Sequence, residues 1–161
     1  MTDVPATSSV HAVALVIGEA GVLIEGASGS GKSALALACV AAVQARGIYA
    51  ALVSDDRVRL AVVGGRVIAN AHPAIAGLVE RRGLRIEPAP LCPQAVLRLV
   101  VKMVSGPEAA GLARLPWEAP ALTSVLGVSL PLLPLDLARD RGDQVAMVMA
   151  AVKIAAPQNA A

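Results

Sequence analysis

Lys32 and Ser33 stand at the end of Gly26-Ala27-Ser28-Gly29-Ser30-Gly31, and 23 residues after Lys32 the adjacent carboxylates Asp55 and Asp56 follow. Residues 26–33 fit G-x-x-x-x-G-K-[ST] at every fixed position. Glycines let successive backbone N–H groups converge on phosphate oxygens, and a helix beginning directly after them adds its partial positive charge. In such a loop Lys32 reaches the β- and γ-phosphates and the Ser33 hydroxyl ligates Mg²⁺. This is the chemistry of a nucleoside triphosphate or a similar polyphosphate. The carboxylate pair supplies what a transfer reaction still needs: one to help hold Mg²⁺, the other to accept a proton from an attacking hydroxyl. A glycine-rich turn before a helix and an acidic turn at a strand end are the plainer alternatives. The agreement of strand, loop, helix and Asp pair favours the functional reading. The sequence contains no N-K-x-D, so it lacks the base-reading motif of a switch GTPase.

The elements that must position these groups are short. Residues 11–17 (HAVALVI) and 22–25 are apolar runs around Gly18-Glu19-Ala20-Gly21, a hairpin pattern that leads into the loop. Residues 33–46 are strong helix formers ended by Gly47. Residues 49–54 predict a third strand beside the loop's own strand, with Asp55-Asp56-Arg57 at its C-terminal end. Residues 58–63 and 66–69 flank Gly64-Gly65 as a second hairpin. Residues 73–80 predict one or two helical turns, 96–104 the longest strand, 107–120 a loop holding Trp117, and 143–155 a helix. The expected fold is α/β: a P-loop kinase core with a mixed β-sheet and flanking helices. The expected organisation is one catalytic domain over residues 1–161, with loose tails at 1–9 and 157–161.

The bulk composition narrows the class. Hydrophobic residues make up 56% of the 161 and charged residues 16%, which excludes a disordered chain. With one Trp, one Tyr and no Phe, the core must be built from Leu, Val, Ile and Ala. The net charge of +2 is scattered, with no basic stripe interleaved with aromatics, so nucleic acid is not an expected partner. The longest uncharged run, residues 119–135, is interrupted by Pro120, Pro131 and Pro134 and is shorter than the ~20 residues a spanning helix needs. No membrane association is expected. Cys39 and Cys92 have no metal spacing and read as buried thiols in a reducing cytosol, and residues 1–9 lack a signal-peptide pattern. The expected location is cytoplasmic.

His11 opens the first apolar run, where a lone histidine is more often structural than catalytic. Glu80-Arg81-Arg82-Gly83 reads on its own as a solvated charge cluster, in which Glu80 is the one group suited to Mg²⁺. Taken in order, "HAVALVIGEAGVLIEGASGSGKSALAL", "LVSDDRV" and "HPAIAGLVERRGLRI" resemble the catalytic domain of HPr kinase/phosphorylase. The resemblance runs from about His11 to Ile86. "RLPWEAPALTSVLGVSLP" is similar to short forms that lack the N-terminal regulatory domain. It implies a core akin to phosphoenolpyruvate carboxykinase and a hexamer in the full-length family. It also implies an ATP- and Mg²⁺-dependent kinase of a serine on HPr, the small phosphocarrier of the phosphotransferase system, with reversal by phosphorolysis in many members. By position, Lys32 would grip the phosphates and Asp55 would be the general base, and the general acid in reverse. His11 would belong to the active centre. Ser33, Asp56 and Glu80 would stand on the Mg²⁺ side, and Arg82 and Gly83 would match the adjoining signature. The chain departs from the family pattern at Ala34, where a carboxylate is usual, at Arg81 and Arg85 in the signature, and in "LDLARDRGDQ", which has no clear counterpart. Arg114 corresponds to a later family arginine only weakly.

Two rival readings differ in class. A small-molecule P-loop kinase would need an arginine-rich lid and an acceptor pocket, for which the region after Val104 offers few polar groups. A nucleotide-binding sensor that holds HPr or another partner without transfer would not need Asp55.

Overall fold

The computed structural model describes residues 7–71, 78–81, 85–88, 91–111 and 121–155, with the backbone alone described for 78–81, 85–88, 110 and 111. Its centre is the hairpin of β2 (Val13–Ile17) and β3 (Ala20–Glu25), antiparallel from Val13↔Ile24 to Ile17↔Ala20. Every residue of β2 is buried. The run VALVI does not alternate because this sheet is covered on both faces. On one side β2 pairs antiparallel with β4 (Ala50–Ser54). On the other, β3 pairs parallel with β9 (Gln94–Val104), and β9 pairs parallel with β11 (Val128–Asp136). A last strand, β10 (Ala121–Val125), closes on β11 as a hairpin.

The long strand β9 belongs to two sheets. Its first residues pair antiparallel with β6 (Arg66–Ala71), which continues into β5 (Arg57–Val63) and then β1 (Thr7–His11). Side-chain parity then divides the core. Val13, Leu15 and Ile17 of β2 face the helices α1 (Lys32–Gln44) and α3 (Arg141–Ala155), whereas Ala12, Ala14 and Val16 face the second sheet. The result is three layers, helices on sheet on sheet. In β9 the ladder to β3 steps from Gly21↔Leu97 to Val22↔Leu99, so Arg98 is an extra residue that resets the alternation. Ala95, Leu97 and Val100 consequently face the second sheet, and Leu99, Val101 and Met103 face the helices. Both clusters are aliphatic, as a chain without Phe requires, and each fully buried Leu or Val contributes about 1.5–3 kcal/mol.

Several expectations need correction. Residues 7–9 are not part of a loose tail: they lie in β1 and pair with Ala61, Leu60 and Arg59. The run 11–17 is two strands, because the chain passes from one sheet to the other at Ala12. Within the segment 73–80, Leu78–Arg81 is a strand, β7, paired with β8 (Arg85–Pro88), and residues 72–77 lie outside the described residues. Residues Gly106–Gly111 form a short helix, α2, and Trp117 lies outside the described residues. The proline-interrupted run, assigned no element from the sequence, supplies β10 and most of β11. Pro131 pairs only on the β10 side and Pro134 only on the β9 side. Each proline therefore sits where one flank of the strand needs no N–H donor. Among the described residues, no helix is long and apolar enough to cross a membrane.

Candidate active site

The site forms where two chain segments cross between the sheets beside the loop that follows β3. Gly29 and Gly31 have φ of 79° and 92°, a region that favours glycine. Gly31 is the N-cap of α1, and its carbonyl accepts the first helical hydrogen bond, from Leu35 N, at 2.9 Å. A Cβ on Gly26 would meet Ser30 Oγ at 2.8 Å and Met103 Cβ at 3.1 Å, so the loop lies directly on β9. Lys32 is only 7% exposed, and its Nζ donates to the carbonyls of Gly26 (3.0 Å) and Ala27 (3.1 Å). An ammonium buried at a positive helix end is costly unless matched. Two carbonyl dipoles match it only in part, and an anion above the loop would complete the match. Ser30 Oγ is also buried without a hydrogen-bond partner among the described residues. These features fit a polyphosphate.

Asp55 reaches this loop from the end of β4. Between β4 and the loop's strand β3 lies β2, so the two strands are not neighbours, contrary to expectation. The contact is made by α1: Ser33 Oγ donates to Asp55 Oδ1 at 2.5 Å, and Asp55 is 7% exposed. The next residue turns the other way. Arg57 N donates to Asp55 O at 2.8 Å across Asp56, whose φ is 68°. That is a γ-turn with positive φ at its centre, a rare and strained form. Ser54 Oγ braces it by donating to Arg57 O. Asp56 O accepts from Ala12 N at 3.2 Å, which ties the β4–β5 crossing to the β1–β2 crossing. The same tie brings His11 Nδ1 to 3.1 Å from Asp56 Oδ1, with side chains 53% and 67% exposed.

A cleft of about 750 Å³ joins these groups, lined by His11, Ser28, Gly29, Lys32, Ser33, Asp55, Asp56 and one face of α1. Ala34, Leu37, Ala38 and Ala41 make that face apolar and mostly small, which keeps the cleft wide beside the carboxylates. The expected residues His11, Lys32, Ser33, Asp55 and Asp56 are thus brought together. The pairing within them differs from expectation: Asp55 stands at Ser33, and Asp56 at His11. Glu80 is placed on β7 by its backbone only, and Arg82, Gly83 and Arg114 lie outside the described residues. Among the described residues no cluster of three or more His, Cys, Asp or Glu could hold a metal. Mg²⁺ does not require one, since it takes one or two protein oxygens and completes its shell with phosphates and water. Ser33 Oγ, at the cleft, is one such oxygen.

One contributor escaped the sequence reading. Arg141, the first residue of α3, donates from Nη1 to Gly31 O at 3.4 Å and to Gln144 Oε1 at 2.9 Å. The available signal was an arginine at a helix start, where the dipole disfavours a cation. Cys39 lies in the same helix layer. Burial pushes its thiol up to about 12, a rise that the Arg141 charge partly opposes.

The whole segment 3–160 matches the HPr Serine kinase C-terminal domain. The chain belongs to that family. The HPr Serine kinase C-terminal domain is a P-loop kinase fold, and the layers described above are this chain's version of it. Over 80 residues, half of this chain, it is 35% identical to HPr kinase/phosphorylase of Mycoplasma mycoides subsp. mycoides SC. The aligned part is 24% of that relative's length. The structure of the Hpr(Ser) kinase/phosphatase from Coxiella burnetii superposes with a TM-score of 0.71 at 25% identity, covering 91% of this chain and 94% of that one.

Proposed function

We propose that this chain is an ATP- and Mg²⁺-dependent protein serine kinase whose acceptor is an HPr-like phosphocarrier. The observation that carries the proposal is the half-buried Ser33–Asp55 bond beside Lys32, in a cleft open enough for a protein segment. Mg²⁺ bound with ATP would supply charge neutralisation on the transferring phosphoryl group. Lys32 exchanges its carbonyl partners Gly26 and Ala27 for phosphate oxygens, and the backbone N–H groups of residues 26–31 hold the rest of the polyphosphate. Ser33 keeps its proton in a hydrogen bond to Asp55 Oδ1, so the hydroxyl's lone pairs face the cation and Asp55 remains a carboxylate. Asp55 then stands beside the place of transfer and takes the proton of the acceptor serine. In the reverse direction the same carboxyl returns that proton, which supports phosphorolysis as a second activity of the site. His11 and Asp56 line the cleft mouth and orient the acceptor. Glu80, Arg82 and Gly83 complete the cation side, on the strength of the resemblance. A cytoplasmic, oligomeric enzyme accords with this role.

The test is transfer from γ-labelled ATP to the organism's own HPr. The expected product is HPr carrying alkali-labile, acid-stable label on one serine, lost when that serine is changed to alanine. Tight ATP binding with unlabelled HPr would replace the kinase reading with that of a sensor.

A further inference from the structure

The strand-end carbonyl of Asp136, the amide of Gln144, the guanidinium of Arg141 and the carbonyl of Gly31 form one continuous chain of hydrogen bonds. Gln144 is 3% exposed and donates from Nε2 to Asp136 O at 3.2 Å, while its Oε1 accepts from Arg141. Arg141 in turn donates to Gly31 O, 110 residues away in sequence. A Cβ on Gly31 would lie 2.9 Å from Arg141 Nη2, so the guanidinium is seated against the loop's last glycine.

The electrostatics of this placement are adverse for stability alone. Arg141 begins α3 and touches the N-cap of α1, so it stands at two helix ends of positive partial charge, next to buried Lys32. Its described partners are two neutral oxygens, and no carboxylate pairs with it among the described residues. A cation kept in such a place is matched when a polyanion lies on the other side of the loop. Its planar fork also holds two acceptors in a fixed geometry, which the freely rotating ammonium of a lysine does not.

We propose that Arg141, anchored by Gln144, is a positioning residue for the phosphate loop. It holds the Gly31 carbonyl and thereby the left-handed cap that sets Lys32 and Ser33 toward the phosphates. It acts through the loop rather than on the reacting atoms. Its loss should therefore raise the KM for ATP far more than it lowers kcat. The inference rests on the nucleotide part of the reading above and is independent of HPr.

The experiment is titration of the full chain with Mg-ATP, with thermal melts to verify folding. The variants are Arg141→Ala, Arg141→Lys, Gln144→Met and, as a control for charge alone, Arg139→Ala. Arg139 pairs with Asp143 on the surface at 3.8 Å. Arg141→Ala should bind about tenfold more weakly, with methylguanidinium restoring affinity to that variant and not to wild type. Arg141→Lys should recover only part, and Arg139→Ala should match wild type. If Arg141→Ala does not fold, Gln144→Met carries the test, with an expected loss of about threefold. A folded Arg141→Ala that binds like wild type would overturn the inference, as would an equal loss in Arg139→Ala. Failure of the wild type itself to bind would overturn it together with the nucleotide reading. Normal binding effects with unlabelled HPr would uphold it and remove only the HPr assignment.

Discussion

Asp55 and Asp56 are adjacent in sequence and belong to different regions of the molecule. Asp55 is buried and bonded to Ser33 of the helix layer, whereas Asp56 is exposed and paired with His11 of the second sheet. The strained turn centred on Asp56 separates them. Two like carboxylates thereby acquire different surroundings, one facing the phosphate loop and one facing the mouth of the cleft. Similar residue types a single bond apart need not share a role when the chain changes sheet between them.

The contrast can be broken most sharply at the carboxylates. Asp55→Asn should lower transfer by about 10²–10⁴-fold, the usual contribution of a general base, with nucleotide affinity retained. Asp56→Asn, which keeps a side chain tolerant of positive φ, should lower it by tenfold at most, on that same order-of-magnitude scale. Equal losses would erase the distinction between the two regions. The brace comes next. Ser54→Ala leaves the Arg57 carbonyl without its hydroxyl donor and should cost about 1–3 kcal/mol in chemical denaturation. His11→Ala should slow transfer by about tenfold through weaker acceptor orientation, while an exposed pair of this kind adds only about 0–1 kcal/mol to stability. Asp56→Gly tests the strain itself. Relief of positive φ should leave the unfolding free energy at or above wild type, by up to about 1 kcal/mol, even as transfer falls.

The last effect, confined to alkaline pH, concerns Cys39. Its folded-state thiol is raised from the ordinary 9.0 to about 12, so the unfolded chain loses that proton first. Stability is then intact below about pH 9 and declines as pH rises toward 12. Cys39→Ala should flatten that decline in pH-dependent denaturation, and a thiol reagent should leave Cys39 unmodified until the protein unfolds.

The phosphate loop was legible because its function constrains consecutive residues, and strand, loop and helix occur in one local stretch. The same holds for β2, β3, α1 and the β5–β6 hairpin. What escaped reading depended on non-local partners. Residues 7–9 look polar and loose until β5 lies beside them. Pro131 and Pro134 argue against a strand unless one flank is unpaired where each proline sits. The assignment of Asp55 to Ser33 depends on a turn whose positive φ at an aspartate has no reliable sequence mark. Arg141 is separated by 110 residues from the glycine it holds, beyond any local pattern.

The central claim is that Ser33 and Asp55 act as one unit. A double-mutant cycle on phosphate transfer to HPr tests it directly, with Ser33→Ala, Asp55→Asn and both changes together. Coupled groups give strongly non-additive losses, so the double variant should be hardly slower than Asp55→Asn alone. Losses that simply multiply would show that the two side chains act independently and would contradict the account.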